Sequence, residues 1–119
     1  MKLNNYNNIF FIGIGGSGMS ALANYFVGEN KRVIGYDKFE STNTNNLESK
    51  GVEIIYNDDI EEVGIEYLEP ENTLVIYTPA IPKMSKLLQY FISSGFVVLK
   101  RAEALGLIAN SSFCVAIAG

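Results

Sequence analysis

The chain has 119 residues, 48% of them hydrophobic and 18% charged, and its net charge is −4. This composition excludes an intrinsically disordered chain, and the lack of any Lys/Arg run argues against nucleic acid or a membrane surface as a partner. Without histidine and with Cys114 as its single cysteine, the chain can form neither a His-based catalytic site nor an internal disulfide nor a cysteine zinc site. The lone cysteine, together with the lack of a signal peptide or membrane-spanning segment, predicts a reduced, cytoplasmic setting.

Short apolar runs alternate along the chain with segments of helical periodicity. The first strand is predicted at 9–14, and a helix follows from Met19 to Gly28, because apolar residues recur there three and four positions apart. The acidic stretch 58–71 is predicted to be irregular, with one helical turn near 60–63. Further strands are predicted at 31–36, 52–56, 74–77, 96–99 and 113–118, and further helices at 41–50, from Pro82 to Gly95, and at 102–109.

The predicted strands are continuous apolar runs, which are typical of a parallel sheet that is buried on both faces. Alternation of strands and helices then predicts an α/β fold, a Rossmann-like open parallel sheet of about five to six strands with helices on both faces. In such sheets ligands bind at the carboxyl ends of the strands, near the point where the strand order reverses.

One glycine-rich motif indicates a binding site for a phosphate group. Residues 13–18 read G-I-G-G-S-G and match G-x-G-x-x-G between the first strand and the first helix. We expect Gly13 to allow a tight turn, Gly15 to let a phosphate approach the backbone, and Gly18 to let the helix pack close to the strand. The free amides and positive end of the helix would then meet an anion. A glycine turn without a ligand is the alternative.

Asp37 ends the second predicted strand, where dinucleotide-binding folds carry an acid for the ribose hydroxyls. An NAD(P)-binding domain is therefore one hypothesis for the chain. The alternative is that Asp37 only caps the next helix, although Ser41 or Thr42 could serve there instead.

Five segments resemble the alanine-adding members of the Mur ligase family, in order along the whole chain. The most specific is F-I-G-I-G-G-S-G-M-S at 11–20, which resembles the signature that opens those enzymes. Gly35-Tyr36-Asp37 is similar to the family's G-S-D, and T-P-A-I at 78–81 to its S-x-A-I. K-R-A-E-A-L at 100–105 is similar to R-R-A-E-x-L, and V-A-I-A-G at 115–119 to the strand that enters the family's ATP-binding loop.

The resemblance implies one part of a three-domain ligase, in which an N-terminal domain holds UDP-N-acetylmuramate, a central domain binds ATP and Mg²⁺, and a third brings L-alanine. Residues 1–112 would form the UDP-sugar-binding domain, and 113–119 a strand leading into the ATP-binding domain. No G-x-x-x-x-G-K-[ST] occurs in the sequence. We therefore expect no cofactor on this fragment and no activity of the fragment alone, with ATP and Mg²⁺ used by the full-length enzyme.

The resemblance also implies which residues contact the UDP-sugar, and it implies no catalytic residue or metal ligand. Lys38, Lys83 and the acidic residues at 58–62 are expected to be solvated surface. A related ligase that reattaches recycled murein peptide to the same nucleotide sugar remains an alternative, as does the NAD(P)-binding domain. The expected UDP-sugar contacts are Gly13, Gly15, Gly16, Ser17, Gly18, Met19, Asp37, Thr78, Ala80, Ile81 and Arg101.

Overall fold

Five parallel strands form one open sheet in the described part of the chain, residues 3–111 of this computed structural model. The strand order is β3-β2-β1-β4-β5. The predicted sixth strand at 113–118, which contains Cys114, lies outside the described residues. The strands are β1 (Asn8–Ile12), β2 (Arg32–Tyr36), β3 (Glu53–Ile55), β4 (Thr73–Tyr77) and β5 (Val97–Lys100).

Helices cover both faces of this sheet, which confirms the predicted Rossmann-like α/β fold. The helices are α1 (Ser17–Gly28), α2 (Thr42–Ser49), α3 (Lys86–Ser93) and α4 (Arg101–Ser111), and single 3₁₀ turns lie at Leu3–Asn5, Ile60–Glu62 and Ile65–Tyr67.

The two faces of β1 each carry a hydrophobic core. Phe11 packs in a cluster with residues of α1, α2 and α4, such as Phe26 and Leu47. Its neighbour Phe10 points to the opposite face and packs against Phe91 of α3, with ring centroids 4.9 Å apart. Both β1 phenylalanines are fully buried, as expected for a strand covered on both sides.

The strand order reverses beside β1, and this reversal creates a crevice. The chain winds outward from β1 through β2 to β3, then returns to place β4 on the other side of β1. Ile12 pairs with Tyr36 of β2 and with Tyr77 of β4, so the three strands end level with one another. The loops that follow them therefore meet at one edge of the sheet, where ligands of such folds bind.

The structure corrects the predicted start of the third helix. Pro82 does not begin it, since the carbonyl of Pro82 accepts a hydrogen bond from the Ser85 amide in a preceding turn. Ser85 is the N-cap, and its hydroxyl accepts from the amide of Leu88 at 3.3 Å. Met84, predicted on the apolar face of this helix, is 89% exposed.

In the described residues, no helix combines the length and apolar character needed to cross a membrane.

Two buried tyrosines make the stability of this fold sensitive to alkaline pH. Burial raises the pKa of Tyr36, and the charges of Asp58 and Asp37 raise it further. Burial likewise raises the pKa of Tyr67, and the negative charge of Glu53 raises it further. Because the folded state holds these protons more tightly than the unfolded state, their contribution to stability is complete below about pH 10 and is lost as the pH rises through the raised values.

We expect Tyr67→Phe to reduce this alkaline loss of stability. The measurement is urea unfolding of parent and variant at pH 8 and pH 11, and the parent should lose more free energy of unfolding between the two. Equal losses would show that Tyr67 ionises in the folded state as it does in the unfolded state.

Candidate functional site

A cleft of about 670 Å³ opens where β2, β1 and β4 end. Seven of the residues expected from the sequence line it, namely Gly13, Gly15, Gly16, Asp37, Thr78, Ala80 and Ile81. Its other lining residues, which the sequence analysis did not place in a site, are Tyr36, Lys38, Phe39, Ser41, Asp58, Pro82 and Ser85.

The turn at Gly13 confirms the first glycine prediction. Gly13 has φ +90, a conformation that residues with a side chain rarely adopt. The amides of Gly13 and Ile14 both donate to the carbonyl of Tyr36, at 2.8 and 3.0 Å. A Cβ at Gly13 would collide with the Thr78 methyl group, so the turn also needs glycine for space.

Gly15 is held against Asp37 and leaves no open amide for a phosphate. Its amide donates to Oδ2 of Asp37 at 2.7 Å, and its carbonyl accepts from Nδ2 of Asn43 at 2.9 Å. A Cβ at Gly15 would lie 2.6 Å from Asp37 Oδ2 and 3.1 Å from the Thr44 methyl group. Glycine is required here for close packing of the loop against these side chains.

The open amides lie two to four residues further on, at the start of α1. Gly16 is the N-cap and is extended, and no side chain caps the helix. Within the described residues, the amides of Ser17, Gly18 and Met19 have no hydrogen-bond acceptor. The Met19 side chain is buried in the core, so only its amide faces this end. The helix thus presents unpaired donors and its positive dipole end, a combination that favours an anion.

Arg101 lies beside these amides and corrects the role expected for Gly18. A Cβ at Gly18 would lie 2.9 Å from a guanidinium nitrogen of Arg101, whereas no atom of β1 is among its nearest neighbours. Gly18 therefore makes room for Arg101, the first residue of α4, which supplies the three atoms nearest to such a Cβ. Arg101 does not line the cleft, but it adds a positive charge next to the open helix end.

The expectation of a solvated acidic turn is wrong for Asp58, which caps α3. Its Oδ1 accepts from the Ser85 hydroxyl and the Leu87 amide, and its Oδ2 from the Lys86 amide, each at 2.9 Å. The N-terminus of α3 is therefore filled by the protein's own carboxylate. That of α1 is left open, which distinguishes the two helix ends at this edge of the sheet.

An exposed aromatic and a cation stand at the mouth of the cleft. Phe39 is 69% exposed, and Nζ of Lys38 lies 5.5 Å from its ring centroid. Lys38 is exposed as expected, yet it lines the cleft, whereas Lys83 does not. Both cleft residues directly follow Asp37, so their position after β2 was a signal the sequence offered.

Among the described residues, no group of three or more His, Cys, Asp or Glu side chains is arranged to hold a metal ion.

A family model described as "Mur ligase family, catalytic domain" matches residues 8–113. The chain belongs to the Mur ligase family. It is 49% identical over all 119 residues to a UDP-N-acetylmuramate–L-alanine ligase of Flavobacterium psychrophilum, of which it covers 26%. The chain thus spans about a quarter of the length of the curated relatives it matches.

Solved structures share the fold. The UDP-N-acetylmuramate-alanine ligase MurC from Thermotoga maritima matches with a TM-score of 0.73 and 26% identity, over 82% of this chain and 21% of that one. A UDP-N-acetylmuramate:L-alanyl-gamma-D-glutamyl-meso-diaminopimelate ligase from Neisseria meningitides matches with a TM-score of 0.68 and 20% identity, over 81% of this chain and 29% of that one. At that identity the second match supports the fold alone.

Proposed function

We propose that this chain is the UDP-N-acetylmuramate-binding domain of a ligase that joins L-alanine to that nucleotide sugar. The observation that carries the proposal is the 49% identity, over the whole chain, to a relative with this named activity. The cleft at the reversal of strand order, with an open helix end beside it, provides a place for such a ligand. An NAD(P)-binding domain has no comparable support.

In this proposal the diphosphate binds at the start of α1. The amides of Ser17, Gly18 and Met19 donate to its oxygens, and Arg101 lies close enough to Gly18 to add a charge-assisted contact. The uridine and the amino sugar extend into the cleft beside Gly13, Gly16, Thr78, Ala80 and Ile81. Residues 1–112 would be the binding domain and 113–119 the segment leading onward.

The remaining substrates would bind outside these 119 residues. The chain does not span about three quarters of the relatives' length, and we assign the sites for ATP, Mg²⁺ and L-alanine to that part. The ATP-binding loop G-x-x-x-x-G-K-[ST] does not occur in these 119 residues. When bound, ATP supplies the phosphoryl group that activates the carboxylate of the sugar for attack by the amine of L-alanine. The residues of this chain bind and orient the nucleotide sugar. Because ATP and nucleotide sugars are cytoplasmic metabolites, we place the protein in the cytoplasm.

The proposal is tested by the ligand that stabilises the folded chain. A ligand that binds only the folded state raises its stability by about 2.7 kcal/mol at a hundredfold excess over Kd. We expect UDP-N-acetylmuramate to raise Tm more than UDP at equal concentration, and NAD to leave Tm unchanged. Differential scanning fluorimetry measures this, with UMP as the control that lacks the diphosphate. A larger shift with NAD than with the UDP-sugar would replace this proposal by the dinucleotide-binding one.

A further inference from the structure

We propose that Asp37 and Asn43 are positioning residues that clamp Gly15 and thereby aim the open amides of α1 at the ligand. This inference rests on the proposed function for the identity of the ligand, but not for the clamp itself. Neither side chain need touch the diphosphate. Each acts through the backbone of the glycine loop.

The clamp uses both polar groups of one peptide position. The Gly15 amide donates to Asp37 at 2.7 Å, and the Gly15 carbonyl accepts from Asn43 at 2.9 Å. The two side chains come from different elements, since Asp37 follows β2 and Asn43 lies in the first turn of α2. Gly15 is therefore fixed from the sheet and from a helix at once, directly before the N-cap of α1.

A capping box in turn fixes Asn43. The Ser41 hydroxyl accepts from the Thr44 amide at 3.3 Å, and the Ser41 amide donates to the Thr44 hydroxyl at 2.7 Å. This reciprocal pair orders the first turn of α2, the turn from which Asn43 reaches the loop. Asn43 was absent from the predicted site because its contact lies 28 residues away along the chain.

The clamp also affects how tightly the site binds phosphate. The Asp37 carboxylate brings a negative charge to the edge of an anion site, so it orders the loop while weakening the attraction of the site for phosphate. Two unit charges about 7 Å apart in water-like surroundings alter an affinity by about threefold. Asp37→Asn keeps an oxygen that can accept from Gly15 but removes this charge, and so separates the two effects.

Amide hydrogen exchange in the free protein tests the clamp directly. NMR should show the Gly15 amide exchanging at least tenfold more slowly than those of Ser17, Gly18 and Met19. Addition of pyrophosphate or UDP should shift the resonances of those three amides while Gly15 keeps its protection. Exchange of Gly15 as fast as its neighbours, or loss of its protection when the ligand is added, would overturn the proposal.

Two variants with matched controls complete the test. Asn43→Ala should speed exchange at Gly15 and weaken UDP binding about threefold to tenfold, the worth of one hydrogen bond. Asn45→Ala, an exposed position in the same helix without a side-chain bond to the loop, should change neither. Asp37→Ala should weaken binding, whereas Asp37→Asn should bind UDP about threefold more tightly than the parent.

The outcomes separate this inference from the proposed function. Equal effects of Asn43→Ala and Asn45→Ala would contradict the clamp while leaving the proposed UDP-sugar binding intact. Weaker binding by Asp37→Asn than by the parent would contradict the argument that the Asp37 charge opposes the ligand. Failure of the parent to bind UDP-N-acetylmuramate would overturn the proposed function, and the exchange rates of Gly15 in the free protein would still decide the clamp.

Discussion

Gly13→Ala is expected to lower Tm by about 10 °C and to abolish the proposed binding of the UDP-sugar. The residue has φ +90, where an L side chain costs roughly 1–2 kcal/mol. The new Cβ would also collide with the Thr78 methyl group in a buried turn, and such overpacking costs about 1–3 kcal/mol more. For a domain near this size, 1 kcal/mol corresponds to about 4 °C in Tm. Binding fails because the same turn starts the loop that leads into α1.

Two companion variants isolate these causes. Gly28→Ala is the matched control, because Gly28 has an unstrained φ and a Cβ there would meet nothing within 4 Å. It should leave Tm within about 2 °C of the parent. Adding Thr78→Ser to Gly13→Ala removes the obstructing methyl group, so it should recover the steric part of the loss and leave the φ strain. Thermal melts of the four proteins measure this, and a Gly13→Ala variant as stable as the Gly28→Ala variant would contradict the described turn.

Local patterns were sufficient to predict the sheet and three of its helices. The strands at β1 and β4 are unbroken apolar runs, and their burial on both faces follows from that composition alone. The glycine turn was predictable because glycine adopts the conformation of Gly13 without the strain that a side chain brings. Ser41, one of the two candidate caps in the sequence, caps α2. Each of these features depends on residues within a few positions of one another.

Pairings between distant residues were not predictable in the same way. The bond from Gly15 to Asp37 spans 22 residues, and the bond from Ser85 to Asp58 spans 27. Topology brings the ends of neighbouring strands to one edge, which is why Asp37 could be placed near the glycine loop. Topology does not determine which donor forms a hydrogen bond with each carboxylate. The use of Asp37 on the loop, and of Gly18 to accommodate Arg101, therefore emerged only from three-dimensional geometry.

The mistaken start of α3 has the same origin. Proline is a common first residue of helices, so Pro82 predicts a helix that begins at this position. The apolar spacing from Met84 onward favours the same start. The structure starts the helix later because Ser85 and the distant Asp58 together satisfy its first amides. A cap supplied from another loop outweighs the local signal, since a side chain that accepts from the otherwise unpaired amides of a helix start stabilises the helix at that residue.

Asp58→Ala is therefore expected to be the most destabilising change among the acidic residues at 58–62. It removes three hydrogen bonds that reach the Ser85 hydroxyl and the amides of Lys86 and Leu87. It also removes a negative charge from the positive end of α3. Bonds to a charged acceptor at a helix start are worth about 2–3 kcal/mol together, which corresponds to a fall in Tm of about 8–12 °C.

Glu61→Ala is the matched control, because it deletes the same charge from the same acidic stretch at an exposed position. Glu61 should be nearly neutral, within about 0.5 kcal/mol, so the difference between the two variants measures the cap rather than the charge balance. Ser85→Ala should lie between them, since it removes one bond to Asp58 and the local bond to Leu88 but leaves the Asp58 bonds to the helix amides. Equal melting temperatures for Asp58→Ala and Glu61→Ala would mean that water replaces the carboxylate at no cost. The cleft wall formed by Asp58 and Ser85 would then be held by the packing of α3 residues such as Leu87 and Phe91 in the core.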